Sequence, residues 1–489
     1  MNENERESIE RTDINEEIEI TTEENGDGNG NRNGNREVLA ENPMGYKPVR
    51  GLLLKMSAPL MISMFVQSLY NIVDSIFVAH LNENALTAVS LAFPIQSLIL
   101  AFAIGTAVGM SALLSRYLGA KELDKVNLVV HNGIFLAFVT YAIFLVFSFF
   151  AEPFIKSQTS DPQIIEYGTQ YLTIVCRLSI MVTMQITMER LLQGTGKTKY
   201  IFYMQVTGAL INVIMDPILI FGLLGAPRLG VAGAAIATVF GQTVGTIMGF
   251  YINHTKNHEI SMNMKGFRPD GMMIKEIYRI GVPSIIMQAV GSAMTLGMNL
   301  ILVSFSTTAV ATFGAYFKIQ SFVFMPIFGM NNGLVPIIAY NYGARKPDRM
   351  REGMRISVFY SVAFMSVGTL IFWTAPGVLM SMFNPSETMM SLGITALRII
   401  SICFPFAGYA IMRGSVFQAV GKSVYSMNIS LIRQLGVLLP MAWILGRIGG
   451  VTAVWWAFPI AEIAGTGMSV MYTRKVKREI IDNLDTAEL

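Results

Sequence analysis

Cysteine and charge are the scarcest features of this 489-residue chain. It has only two cysteines, Cys176 and Cys403, both in apolar stretches, which argues against a disulfide framework or a cysteine-bound metal. Charged residues make up 14% of the chain and hydrophobic residues 52%, which is more apolar surface than one soluble core buries. The composition therefore predicts a protein that crosses a membrane several times.

Apolar stretches of about 20 residues, the length of a helix that spans a bilayer, recur through most of the chain. Lipid offers no hydrogen bonds to an open strand, so these stretches must be helices. We predict an all-α membrane protein with twelve transmembrane helices. The predicted spans are 52–79, 88–114, 128–150, 164–188, 201–223, 230–252, 276–303, 309–338, 354–375, 390–412, 424–446 and 450–472.

The two halves of the chain repeat each other. A shift of 224 residues places Pro59 on Pro283, Gly105 on Gly329, and Gly119 on Gly343, without a gap from 59 to 120. Each repeat holds six spans, so both have the same orientation and are related by an axis along the membrane normal. We predict two pseudo-symmetric six-helix bundles with a substrate cavity between them, an N-lobe at 46–253 and a C-lobe at 276–473.

Basic residues predict the orientation in the membrane. Twenty-five Lys and Arg residues lie in alternate connections and the tails next to the spans, against three in the other connections. The positive-inside rule then places both termini in the cytoplasm, with a linker at 254–275 and a C-terminal tail at 474–489. Residues 1–45 are acidic and rich in Asn and Gly, which predicts a disordered cytoplasmic tail. The net charge of +3 reflects these basic loops and does not indicate nucleic-acid binding.

Polar side chains gather inside the first bundle. In the first span they occupy one helical face, and a charged Asp at bilayer depth must face protein or water. In the fifth span Asn212 and Asp216 lie one turn apart before Pro217, and the sixth adds two more polar residues. If these spans are neighbours, their oxygens suit a proton or a small hard cation such as Na⁺. The polar residues of the first and sixth spans are Gln67, Tyr70, Asn71, Asp74, Thr238 and Gln242.

The second bundle does not copy this chemistry. Met298 takes the position of Asp74, and the interiors of the seventh and tenth spans contain no Asp or Glu. The tripeptide Ile-Gln-Ser at 95–97 recurs at 319–321, directly after Lys318. We therefore predict that Lys318 lines the cavity. The roles of three further charged residues inside spans, as ion pairs or as side chains that extend to the interface, stay open. These are Arg398, Arg433 and Glu462.

Two motifs resemble those of enzymes, but neither supports an enzymatic function. The segment "QGTGKTKY", 193–200, ends like a phosphate-binding loop, but Leu191 stands where the first glycine is needed. Its pattern recurs in "QAVGKSVY", 418–425, which indicates a repeated structural corner and no nucleotide site. The pair His254 and His258 has metal-like spacing in a solvated basic loop without nearby cysteines. We therefore expect neither an enzyme nor a metal site.

The motifs "NIVDSIFVAHL" in the first span and "NVIMDPILIFGLLGAPRLGVAGAAIAT" in the fifth and sixth resemble the multidrug and toxic compound extrusion (MATE) transporters, DinF-like branch. The resemblance covers about 50–475 and implies V-shaped lobes. It implies that Asp74, Asn212, Asp216 and Thr238 line a cation site, and that the first helix bends at Pro59 when the site is protonated. The acidic residues that the other branch carries in helices seven and ten are missing here.

The resemblance implies an antiporter, coupled to H⁺ or Na⁺ and without another cofactor, that exports bulky amphipathic and often cationic drugs. We expect a monomer in the cell membrane. The alternative is a flippase for lipid-linked saccharides, whose cavity needs several cationic side chains to bind a pyrophosphate. Lys318, Arg398 and Arg433 leave that alternative open, whereas the paired Asp residues of the first bundle argue against it.

Overall fold

The computed structural model describes residues 42–383 and 385–486, without the side chains of a few helical positions (71, 72, 75, 76, 79, 83, 485 and 486). Within these residues the chain is helical and has no strand, which confirms the all-α prediction. Most of the predicted disordered tail, 1–41, lies outside the described residues. Its last residues do not: Pro43–Gly45 form a 3₁₀ turn in which Met44 is buried, so this part of the predicted tail is ordered.

The N-lobe contains eight helices. Polar side chains cap several of them: the Asn82 carboxamide, for example, accepts a hydrogen bond from the N–H of Ala85 at the start of the second. The helices are α1 (Val49–Ala79), α2 (Glu83–Gly119), α3 (Leu123–Phe147), α4 (Ala151–Lys156), α5 (Pro162–Arg177), α6 (Ser179–Gly194), α7 (Thr198–Phe221) and α8 (Val231–Lys256).

The C-lobe repeats this order. Ser306 caps its second helix as Asn82 caps the second helix of the N-lobe. Its helices are α9 (Gly271–Val303), α10 (Thr307–Gly343), α11 (Pro347–Thr374), α12 (Pro376–Ser381), α13 (Glu387–Ser401), α14 (Phe404–Ala419), α15 (Ser423–Leu431), α16 (Leu439–Val454) and α17 (Ala457–Val476). A π-helical segment, Ile432–Leu438, joins α15 to α16, and a short helix, α18 (Asp482–Thr486), follows α17.

Each of the twelve predicted spans coincides with a helix or a bent helix pair. Nine helices in the described residues are long and apolar enough to cross a membrane, and two bent pairs raise this number to eleven. The pairs are α5 with α6, bent by 45°, and α13 with α14, bent by 49°, at equivalent places in the two repeats. The twelfth predicted span coincides with α17, which carries Glu462 in its first half.

The first helix of each lobe packs against the second helix of the other lobe. α1 packs along α10 of the C-lobe, and α9 packs along α2 of the N-lobe, so the equivalent pairs cross in the same way. Repeated glycines allow this: a Cβ on Gly329 would lie 2.6 Å from the backbone of Met61, and one on Gly105 would lie 3.0 Å from the carbonyl oxygen of Gly281. The repeat of the sequence is therefore also a repeat of the lobe interface.

The carboxyl ends of α2 and α10 meet at one end of this interface. A Cβ on Gly119 would collide with the carbonyl oxygen of Tyr340, and one on Gly343 with that of Arg116. Polar bonds join the lobes nearby: the Tyr117 hydroxyl donates to Glu276 Oε2 at 2.6 Å, and Gln193 Nε2 donates to the carbonyl oxygen of Asn332 at 2.7 Å.

Candidate cation and transport site

Close contact between α7 and α8 builds the centre of the predicted cation site. A Cβ on Gly241 would lie 2.6 Å from the carbonyl oxygen of Gly208, so only glycine lets the two helices approach at this point. Asn212, one turn after Gly208, therefore meets Thr238, one turn before Gly241. In the orientation that satisfies both ends of its amide, Asn212 donates to Asp216 Oδ2 at 3.3 Å and accepts from the backbone N–H of Thr238 at 3.0 Å.

Asp74 on α1 completes the site. Its carboxyl group lies close enough to that of Asp216 for a hydrogen bond when one of them carries a proton. Asp216 is fully buried. The Oδ1 atoms of both residues are buried and accept no hydrogen bond from the described residues. Two facing carboxylates with free oxygens are the donor set that a proton or a hard cation satisfies.

Two tyrosines and a glutamine surround the carboxylates. Tyr70, one turn before Asp74, lies within electrostatic range of both carboxylates, as does Tyr171 on α5. Tyr171 is buried, and its hydroxyl lies 3.5 Å from Gln96 Oε1 on α2. No sequence pattern predicted Tyr171 or Gln96 as site residues. The repeated Ile-Gln-Ser, which contains Gln96, was the one signal that pointed to this region.

The other predicted residues of the N-lobe lie at the margin of this site. Gln67 is exposed on α1 and Gln242 is half-buried on α8. α1 continues as a helix through Pro59, so the bend that the resemblance implies stays a prediction. The side chain of Asn71 lies outside the described residues.

Lys318 lies on the α10 face that is directed at the N-lobe. The contacts of α10 with α1 recur along that face, from Gly333 through Gly329 to Phe322, whose ring lies 5.9 Å from that of Phe65. Lys318 comes one turn before Phe322 and is exposed. This position is the one expected of a residue that lines a cleft between the lobes.

The C-lobe holds an ion pair near the place that corresponds to the candidate cation site of the N-lobe. Arg433, in the π-helical segment, donates through Nη1 to both oxygens of Glu462 on α17 at 3.0 and 2.9 Å. Met298, which takes the position of Asp74, is fully buried among apolar side chains. Arg398 is exposed on α13. Arg433 and Glu462 thus form an ion pair in which Glu462 is buried and Arg433 is partly exposed.

The corner motif "QGTGKTKY" is a structural element. Gln193 reaches the C-lobe, Gly196 has a positive φ of 84°, and the ammonium of Lys197 pairs with Glu259 at 2.5 Å. Its lysine is therefore bound within the protein. The positive φ explains the glycine, since other residues adopt that conformation at a cost.

Comparison with known proteins identifies the family. The MatE family model matches residues 59–218 and 283–444. The chain is 27% identical to the multidrug export protein MepA of Staphylococcus haemolyticus over 441 residues, 89% of this chain and 96% of that protein. It is also 27% identical to the FAD transporter of Shewanella oneidensis over 425 residues, 85% of this chain and 92% of that protein.

The fold agrees with solved structures. That of a multidrug resistance MATE family transporter in an outward-facing conformation superposes with a TM-score of 0.85 at 23% identity, over 91% of this chain and 99% of that one. Because the family model covers more than half of the chain and matches both repeats, the protein belongs to the MatE family of membrane transporters and is not an enzyme.

Proposed function

We propose that the protein is a multidrug efflux antiporter that exports amphipathic, often cationic organic compounds in exchange for H⁺ or Na⁺. The facing carboxylates of Asp74 and Asp216, with buried oxygens that lack hydrogen bonds from the described residues, carry this proposal. A bound proton or cation stabilises them together. It also changes the contact between α1 and α7. The ion and the cargo can compete through this contact if each prefers a different arrangement of the two helices.

The cargo binds in the cleft between the lobes. Gln67 is exposed on α1 and Lys318 is exposed on α10, the two helices that meet at the lobe interface. Methionine and phenylalanine side chains supply adaptable apolar surface. Because the relatives are named for multidrug export and FAD transport, we propose cationic dyes and FAD as the compounds to test as cargo. Among the three basic residues that a pyrophosphate flippase would use, Arg433 is already paired with Glu462, which favours drug export.

We propose that the end where α2 and α10 meet faces the cytoplasm, with both termini on that side of the cell membrane. The basic connections support this orientation, since most lie at this end. A single chain contains both lobes, so a monomer suffices for transport in this proposal.

Dye efflux from reconstituted vesicles tests the proposal. Wild-type protein should export a fluorescent cationic dye when a pH or Na⁺ gradient is imposed, and the effective gradient identifies the ion. Asp74→Asn and Asp216→Asn should abolish gradient-driven efflux, whereas Glu387→Gln, an exposed acidic residue of the C-lobe, should behave as wild type. Full efflux by both aspartate variants would contradict coupling at these carboxylates.

A further inference from the structure

The segment just before α1 is held by the opposite lobe. Residues 42–47, which we call the foot of α1, precede the first helix of the N-lobe, yet C-lobe side chains bind their carbonyl oxygens. Arg349 on α11 donates to the carbonyl oxygens of Met44 at 3.2 Å, Tyr46 at 3.4 Å and Lys47 at 2.6 Å. Asn341 Nδ2 also donates to that of Met44, at 3.0 Å.

The Arg349 guanidinium is fixed for this contact. Its Nε donates to Asn341 Oδ1 at 3.0 Å, and Asn341 is fully buried and bonded to the carbonyl oxygen of Ile337. A planar guanidinium with several donors can bridge three carbonyls at once, which a single ammonium cannot do in the same geometry. Lys346 donates to the carbonyl oxygen of Gly45 at 2.9 Å.

α1 is therefore divided between the lobes. Its first half packs on the C-lobe, with Ser57 under Gly333, Met61 under Gly329, and Phe65 against Phe322. Its second half carries Asp74, which faces Asp216 of the N-lobe. A shift of the second half relative to the first thus changes the relation between the lobes.

The foot also touches the N-lobe corner through two side chains, since Met44 packs against Gly196 and Asn42 donates hydrogen bonds. Asn42 Nδ2 donates to the carbonyl oxygen of Thr195 in the corner motif at 3.1 Å and to Glu259 Oε1 at 3.2 Å. The C-lobe contributes five hydrogen bonds to the foot, three of them from Arg349. When the lobes separate at this end, the foot should leave the N-lobe corner and stay with the C-lobe.

We propose that Arg349 is a positioning residue for transport: it anchors the foot of α1 to the C-lobe, so that movement at Asp74 is transmitted to the lobe interface. Without the anchor, the foot detaches from α11, the contact of α1 with α10 loosens at this end, and binding at Asp74 moves α1 without moving the C-lobe. The transport step of this inference rests on the proposed function, whereas the anchoring does not.

Thiol labelling measures the anchoring without cargo, ion or membrane. Ser57 is buried under α10, so a Ser57→Cys variant in detergent-purified protein reports opening at this end, and Cys176 and Cys403 are buried. We expect Arg349→Ala to raise the maleimide labelling rate by at least about tenfold, because three charge-assisted bonds are lost. Arg349→Lys should raise it less. Arg355→Ala, an exposed arginine two turns later on α11, should leave it unchanged.

A second variant keeps the test decisive if Arg349→Ala folds poorly. Lys346→Ala leaves Arg349 in place and removes the C-lobe bond to the carbonyl oxygen of Gly45, so labelling should rise there as well. Asn42→Ala removes only the bonds to Thr195 and Glu259 and should leave Ser57→Cys protected by α10. Equal labelling of Arg349→Ala, Lys346→Ala and Arg355→Ala would overturn the anchoring role.

Dye efflux in vesicles then tests positioning. Efflux by Arg349→Ala should fall severalfold and partly recover in Arg349→Lys. Faster labelling together with wild-type efflux would overturn the positioning role. If wild-type protein exports no dye under either gradient while Arg349→Ala still labels faster, the antiport proposal fails and the anchoring stands.

Discussion

Two carboxylates that face each other inside a membrane protein are stable only when something offsets their repulsion. Asp216 is fully buried and Asp74 faces it, so one proton or one cation between them lowers the free energy of the pair. Asn212 holds Asp216 and is itself held by Thr238. In the proposed antiporter, α7 and α8 form the fixed side of the site and α1 forms the side that moves.

Tyr171 should tune this site without being required for the fold. Tyr171→Phe removes the hydroxyl near Gln96 and the two carboxylates while the ring keeps its packing. We expect gradient-driven dye efflux to fall by about threefold to tenfold, the effect of one hydrogen bond in a low-dielectric site. Tyr167→Phe, on the same helix, is the matched control. Equal efflux by both variants would remove Tyr171 from the site.

The approach of α7 and α8 should be as important as the polar residues themselves. Gly241→Ala introduces a Cβ that would lie 2.6 Å from the Gly208 carbonyl oxygen and 3.2 Å from the Asn212 Cβ, so the helices must separate. We expect efflux to be lost although the polar side chains of the site remain, namely those of Asp74, Asn212, Asp216 and Thr238. Gly291→Ala, whose Cβ meets nothing within 4 Å, should retain efflux. Active Gly241→Ala would show that the site tolerates the displacement.

At the scale of helices, the sequence predicts where spans lie but not how they are broken. Hydropathy located eleven of the twelve spans among the described residues because lipid contact demands continuous apolar residues, and α17, which carries Glu462, is not among those eleven. The bend between α5 and α6 falls at Leu178, without a proline or glycine to announce it. Tyr171 was missed for a related reason: a single tyrosine in an apolar span is typical of a helix core, and its neighbours come from α1, α2 and α7, far away in sequence.

The ion pair of the C-lobe should stabilise its last two spans. Arg433 and Glu462 join the π-helical segment to α17, and removal of one partner leaves a buried charge, which costs about 3–5 kcal/mol. We expect Arg433→Met to lower the apparent melting temperature in detergent, and the double variant with Glu462→Leu to recover most of the loss. If the double variant melts at the same temperature as Arg433→Met, the loss of stability does not come from the unpaired carboxylate of Glu462, and the prediction is wrong.

At the scale of the whole molecule, a symmetric scaffold carries asymmetric chemistry. The glycines that let the lobes cross recur in both repeats, whereas Asp74 is matched by the buried Met298. The sequence repeat predicted the shared scaffold, because close helix contacts need small residues at the same positions. It could not show that the foot of α1 is held by the C-lobe, since that contact involves backbone carbonyls, which no side-chain pattern records.

Reciprocal contacts at the end of the lobe interface should respond alike to substitution. A Cβ on Gly119 meets the carbonyl oxygen of Tyr340, and one on Gly343 meets that of Arg116, the equivalent residue of the other repeat. Gly119→Ala and Gly343→Ala should therefore both push α2 from α10, raise labelling of Ser57→Cys and reduce efflux to a similar degree. Gly314→Ala, on α10 with open space around it, is the control. If only one of the two variants opens this end, the lobes do not close as a symmetric pair, because equal clashes on equivalent backbones must then be relieved by different movements.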